Sequence, residues 1–281
     1  MNKNIEAIEQ ACKEKGVLYS VHHDTGNLIS IEINNSKHMF VNWTTPLNPQ
    51  SIMQLCQDKD YFYSFYKNII KMPKTSSFLN PYSDEKYSKY LKLKTIFEII
   101  KSIEQDHNYP IIIKKNRGSW GANVFKVNDT RELEKGLLKI FNMNSASFDY
   151  VCLAQEFIEI KQEYRVIYLN GEHQFSYKKV IDDALFSNNL SPLHWEGSKS
   201  ELVRDNETLK HIINFCSPIF DELMIPFCGL DVALDNTGKF WLIEANSSPG
   251  FDHIIEHQGN KEIVTLYKKM IAYLTEKKAN K

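Results

Sequence analysis

Apolar residues recur at helical spacing across residues 4–15, and Gly16 stops the run. The next segment, VLYSVHHDTGNLISIEI, alternates with a period of two on both sides of Asp24, Thr25, Gly26 and Asn27, which predicts a β-hairpin. SKHMFVNW reads as another strand, TTPLNP as a loop, and residues 50–68 as a helix. MPKTSSFLNPYS is polar and punctuated by prolines, so it reads as a link. A charged amphipathic helix is predicted over 83–107. A buried strand in YPIIIKK, a loop in NRGSWGAN, a returning strand in VFKV and a helix over 129–141 follow it.

The second half carries two further hairpin signals. YVCLAQEFI reads as a strand, and YRVIYLNGEHQFSYKKV pairs two strands across Asn170 and Gly171. Residues 182–200 are loop-like and DNETLKHIINFCSPIFDEL is helical. FCGLDVALDNTGKFWLIEAN forms the second hairpin, before a helix over 260–278. Helices and antiparallel hairpins mix without regular strand–helix alternation. The pattern therefore points to an α+β fold rather than a doubly wound sheet.

Composition narrows the class. The 281 residues are 42% hydrophobic and 25% charged, as in ordinary globular chains, and the length suits one large domain or two to three lobes sharing an interior. A net charge of −1 gives no general attraction to nucleic acid or an anionic membrane. Cys12, Cys56, Cys152, Cys216 and Cys228 are odd in number and include no C-x-x-C pair, so neither a disulfide framework nor a zinc knuckle is expected. MNKNIEAIEQACKEKG has no signal-peptide core, and no apolar run reaches the length of a membrane span. A cytoplasmic location is the expectation.

Candidate chemistry begins in the last hairpin. Folding it about residues 235–238 brings Asp231 opposite the strand end that holds Glu244 and Asn246. Residues two apart on a strand share a face, so Glu244 and Asn246 point the same way. These hard oxygens suit Mg²⁺ better than zinc, and Mg²⁺ in such settings bridges carboxylates to substrate phosphates. A solvated strand end explains any one of the three residues singly. Their convergence from both strands favours the metal.

YPIIIKKNRGSWG delivers Lys114 to a loop bearing Gly118, Ser119 and Gly121, whose backbone amides can approach an anion. Neither the P-loop nor the dinucleotide fingerprint occurs. Glu163 and Arg165 share a strand face by their spacing, and Lys59 lies on a predicted helix. HIIEH matches a zinc-peptidase spacing, but little sequence follows to supply a third ligand, so His253 and His257 read as solvated or near a substrate. YFYSFY reads as core packing, and His22 and His23 as hairpin surface.

In this order, DK, YPIIIKKNRGSWG, AQEFI, EYRV, GLDVAL and LIEANSSPGF resemble the ATP-grasp superfamily. The likeness is greatest to its branch of glutamate ligases acting on a ribosomal protein, glutathione synthetase and cyanophycin synthetase. It covers roughly residues 55–255. It implies two α+β lobes that hold ATP between antiparallel sheets: a reduced N-terminal unit over 1–57, one lobe over 58–153 and the other over 154–281.

The resemblance assigns Lys59, Lys114 and the 118–121 loop, with Ser119, to the ATP phosphates. It assigns Gln155, Phe157 and Ile158 to an adenine hinge and Glu163 to the ribose. Arg165 and Lys179 become catalytic cations at the transferring phosphoryl group. Asp231, Glu244 and Asn246 would hold Mg²⁺, with Mn²⁺ as a substitute. Ser247, Ser248 and Gly250 would shape the acceptor side. Two departures from the family pattern stand out. Lys115 occupies a place where relatives commonly carry proline, and Gln155 replaces the acidic hinge residue of some relatives, glutamine being common in this branch. The implied activity is a carboxylate–amine ligase working through an acyl phosphate on an amino acid or peptide, with a homo-oligomer compatible. A small-molecule kinase and a nucleotide-binding module without turnover are the rival readings.

Overall fold

The computed structural model describes residues 2–118, 121, 123–145, 148–181, 184–185, 193 and 195–279. Ser119 lies outside them. The N-terminal unit is helix α1 (Lys3–Lys15) followed by β1 (Leu18–Val21), β2 (Leu28–Ile33) and β3 (Ser36–Val41), an antiparallel sheet in that order. Asn2 caps α1 by accepting from the Asn4 amide, and Gly16 ends it at φ 66°. Ile29, Ile31, Ile33 and Phe40 share one buried cluster with Ile5, Ile8 and Cys12 of α1.

The helix predicted over 50–68 is two helices, α2 (Gln50–Gln57) and α3 (Lys59–Tyr66). Asp58 breaks it. Its backbone leaves helical geometry at φ −96° and ψ 99°, and its carboxylate accepts from the Tyr61 amide to start α3. Phe62 and Tyr66 are buried while Tyr61 is exposed, so YFYSFY is a core face with a wet side.

A four-stranded antiparallel sheet follows, in the order β4-β7-β5-β6, from β4 (Thr75–Leu79), β5 (Ile111–Lys115), β6 (Val124–Val127) and β7 (Val151–Glu156). β4 occupies the segment that reads as a link. It is an edge strand in which only Phe78 is buried, so its sequence carries little apolar alternation. The helix predicted over 83–107 is a 3-10 turn, Glu85–Tyr90, and then α4 (Ile96–Asp106). A reciprocal capping box between Thr95 and Glu98 starts α4. α4 and α5 (Thr130–Ile140) cover one face of this sheet. Because β7 runs through residues 153 and 154, the chain leaves the sheet only after Glu156.

The second sheet has the order β10-β9-β8-β11-β12, from β8 (Ile160–Leu169), β9 (Glu172–Val180), β10 (Lys199–Leu202), β11 (Phe227–Asp235) and β12 (Phe240–Asn246). β10 begins within the segment that reads as a loop. One face is apolar along its length: Tyr164, Val166, Tyr168, Leu230, Val232 and Leu242 pack with α2, α3 and α6 (Asn206–Glu222). The opposite face is divided. Ile167, Leu169, Phe175, Tyr177 and Phe227 join the core of the N-terminal unit. Beyond them along β8, the same face turns to Arg165 and Glu163. Two helices end the described chain, α7 (Asp252–Gln258) and α8 (Lys261–Ala279), and α8 packs against α1.

Candidate active site

The polar half of that face carries two cross-strand rows. In one, Arg165 lies opposite Asp231, which lies opposite Glu244. In the next, Glu163 lies opposite Lys179. A bulge sets the first row. The β11–β12 register shifts between Asp231 and Val232, which leaves Ile243 without a partner. Without that extra residue Glu244 would share the apolar face with Leu242. The bulge turns Glu244 and Asn246 onto the polar face instead.

Arg165 forks onto Asp231, Nε to Oδ1 and Nη2 to Oδ2, both at 2.7 Å. The Lys179 ammonium bonds Glu163 and stands 3.6 Å from Asp231 Oδ2. Burial alone would raise the Asp231 pKa. Arg165, and after it Lys179, outweigh burial and hold the carboxyl at about 2. Asn246 Nδ2 donates to Glu244 Oε1 at 3.3 Å.

Two lysines reach this row from the other side. Lys59, at the start of α3, lies 3.6 Å from Glu244 Oε2 and donates to the Gly118 carbonyl at 2.7 Å. Lys114 of β5 is the inward lysine: it is buried and donates to Gln155 Oε1 at 2.9 Å. The Lys115 side chain runs against Gly118 instead, where a β-carbon would stand 2.4 Å from its Cε. Burial pushes the Lys114 pKa down to about 8, assisted by Lys59 and opposed by Glu244. The start of α3 is tied to the loop after β5. Asn116 accepts from the Asp60 amide at 2.9 Å, and Arg117 contacts Asp58 at 3.3 Å.

Lys59, Lys114, Gln155 and Glu244 therefore line one pocket, together with Phe62, Tyr63, Met72, Thr75, Leu153 and the bulged Ile243. These apolar walls carry no signal in the sequence. Thr75 lies on the unrecognised β4, and Ile243 enters only through the bulge. Phe157 and Ile158 are half-buried in the β7–β8 connection, where the Lys126 ammonium stands 4.0 Å from the Phe157 ring centre. Gly121 has φ 64°, in the left-handed region. Ser247 is buried, and its carbonyl accepts from Asn48 at 3.0 Å. Ser248 and Gly250 face the loop after β3, through Thr44 and Trp43. The HIIEH residues lie on α7. The His253 and His257 rings stack 6.4 Å apart, and His257 Nδ1 accepts from the Ser200 amide at 3.0 Å.

Among the described residues, no three His, Cys, Asp or Glu side chains form a metal cage. Mg²⁺ needs none, because it keeps waters and shares substrate oxygens around one or two carboxylates. Glu244 and Asn246, held together on the polar face, fit that requirement. Asp231 can add the lone pairs that its bonds to Arg165 leave over.

Residues 87–274 match the RimK-like ATP-grasp domain family. The chain belongs to that family. It is 26% identical over 189 residues to "Coenzyme gamma-F420-2:alpha-L-glutamate ligase" of Methanococcus maripaludis, covering 66% of this chain and 55% of that protein. It is 33% identical over 155 residues to a D-alanine–D-alanine ligase of Nitratiruptor, covering 52% of this chain and 42% of the relative. The chain thus spans about half the length of these curated relatives. Among solved structures, D-alanine–D-alanine ligase from Bacillus anthracis complexed with ATP superposes with a TM-score of 0.57 at 14% identity, over 82% of this chain and 71% of that one. A bifunctional glutathione synthetase from Pasteurella multocida gives 0.57 at 12% identity, over 96% and 43%. The α+β ATP-grasp architecture expected from the motifs is the fold of this chain. No helix among the described residues is long and apolar enough to cross a membrane.

Proposed function

We propose that the protein is a cytoplasmic, ATP-dependent carboxylate–amine ligase that acts on an amino acid or peptide and forms an amide bond through an acyl phosphate. One observation carries the reading. The Arg165–Asp231–Glu244 row of one sheet meets Lys59 at Glu244, and Glu244 shares one pocket with Lys59 and Lys114. Cations fixed in advance around an acidic face suit phosphoryl transfer, where positioning and charge stabilisation do most of the catalytic work.

In this reading the adenine lies against Gln155 and the 157–158 connection, Glu163 takes the ribose, and the phosphates run toward Lys59, Lys114 and the 118–121 loop. Mg²⁺ held by Glu244, Asn246 and Asp231 would supply charge neutralisation at the phosphates. Arg165 and Lys179 offset charge on the transferring group. Their carboxylate partners hold both cations in place before substrate arrives, so no side chain has to be reorganised during the reaction. Ser247, Ser248 and Gly250 border the space for the amine.

ADP and free phosphate release from Mg·ATP, screened against pooled amino acids and dipeptides with mass spectrometry of the products, tests the proposal. Release of both with a condensed amide supports it. ADP release with the phosphate kept on a product would replace the ligase with a kinase. Bound ATP with no stimulated release would remove it.

ATP binding has a predictable pH dependence. ATP phosphates favour the charged form of Lys114, which in the ATP-free protein loses its proton near pH 8. ATP affinity therefore falls as pH rises above about 8, and binding takes up a proton there. Folding has the opposite sign. The folded pKa lies below the ordinary 10.5, so the contribution of this group to stability increases between about pH 8 and 10.5. Calorimetric titration of ATP from pH 7 to 9.5 checks the first statement. Lys114→Arg, which keeps its charge throughout, should flatten the dependence.

A further inference from the structure

The 43–48 loop joins β3 to α2, and none of the roles above uses its side chains. Its start is built to present one of them. Val41 and Thr44 exchange backbone hydrogen bonds of 3.1 and 2.8 Å, and Asn42 forms the corner at φ 53°. Trp43 follows at the tip of this tight turn. Its indole N–H donates to Asp252 Oδ2 at 3.2 Å. A β-carbon placed on Gly250 would lie 3.3 Å from the indole nitrogen and 3.5 Å from Cδ1, so the ring packs closely against the 247–250 turn. The hydroxyls of Thr44 and Ser248 are 3.4 Å apart.

Asn48 locks the other end of the loop. It donates to the carbonyls of Phe227 at 2.7 Å and Ser247 at 3.0 Å, and accepts from the Phe227 amide at 2.9 Å. Ser247 directly follows Asn246. The N-terminal unit therefore grips the turn that leaves the polar site, and the half-buried Trp43 sits beside that turn.

We propose that Trp43 is the specificity-determining residue of the amine subsite, a fixed wall that restricts the acceptor to α-amines with compact substituents, such as glycine, alanine or serine. The proposal rests on the ligase reading above. An indole held at its N–H by Asp252 and backed by the 247–250 turn cannot swing aside for a larger group. A flexible side chain in its place would adapt. Selection by a rigid wall of this kind commonly reaches about 10- to 200-fold per increment of bulk.

The test measures kcat/KM for glycine, L-alanine, L-serine, L-leucine and L-phenylalanine as acceptor amines with the carboxylate pool of the screen. Hydroxylamine serves as an amine too small to meet the wall. Wild-type protein should favour the compact amines. Trp43→Ala should raise the ratio of L-phenylalanine to glycine by about 10-fold or more, while KM for ATP and turnover with hydroxylamine hold. Trp43→Phe keeps a ring but loses the indole N–H and its bond to Asp252, so it should fold, keep KM for ATP, and show a ratio between those of wild type and Trp43→Ala. An unchanged ratio in Trp43→Ala, an equal fall with every substrate including hydroxylamine, or a wild-type preference for the bulky amines overturns the assignment. No ADP release by wild-type protein with any amine, hydroxylamine included, would instead defeat the ligase reading and this inference with it.

Discussion

Glu244→Gln should lower turnover by about 10²–10³-fold or more while leaving the melting temperature nearly unchanged. Gln is close to isosteric and keeps an oxygen to accept from Asn246 Nδ2. The side chain is a quarter exposed, and its ion pair with Lys59 is loose at 3.6 Å, so losing the charge removes little stability. The function at this position is another matter. Glu244 is the strand-end carboxylate that the Ile243 bulge aims at the polar face, and it is the anion placed between Lys59 and the Arg165–Asp231 pair. A neutral amide there weakens the proposed hold on Mg²⁺ and leaves the flanking cations unbalanced. ADP release under saturating Mg·ATP, paired with a thermal melt of the same preparation, reads both effects. Wild-type turnover in the folded variant would remove Glu244 from the machinery.

The sequence made the outline of the fold legible where local rules act alone. Asn170 and Gly171 mark the β8–β9 turn, and alternation marks the strands on either side. The resemblance carried by the ordered motifs grouped Lys59, Lys114, Gln155 and Glu244 in one site, and these four side chains line one pocket, whatever their roles there. Other features depend on partners distant in the chain. β4 reads as a link because an edge strand buries one residue and needs little apolar character. Asp58 looks like an interior position of one long helix, since the competing role of its carboxylate as a cap appears only once the chain turns there. The Ile243 bulge has no signature in LIEAN, yet it determines which face Glu244 takes. Nor does spacing reveal that both oxygens of Asp231 are occupied by Arg165, or that Asn48 reaches across to Phe227 and Ser247.

The Arg165–Asp231 pair should separate stability from catalysis. Asp231→Leu leaves Arg165 and Lys179 facing each other, with Glu163 bonded to Lys179 and Glu244 acting on Arg165 only through space, so its cost lies toward the upper end of the ~3–5 kcal/mol range for breaking a buried pair. Arg165→Met leaves Lys179 3.6 Å from Asp231 as a remaining partner and lies toward the lower end. The double variant, which removes both charges and fills the space with apolar groups, should recover most of the loss, because well-packed hydrophobic replacements of buried ion pairs are often neutral or better. None of the three should turn over, since each removes a group from the transfer site. pH gives an independent check. The depressed Asp231 carboxyl stabilises the native protein above its ordinary pKa of 3.8, and that contribution is lost as pH falls toward about 2. In Arg165→Met the burial that raises this pKa is opposed mainly by Lys179. The acid transition should therefore move to higher pH, whereas in the double variant it loses this component altogether. Denaturant midpoints from pH 3 to 7 for the four proteins measure the coupling. Additive losses in the double variant would show that the two side chains do not act as a pair.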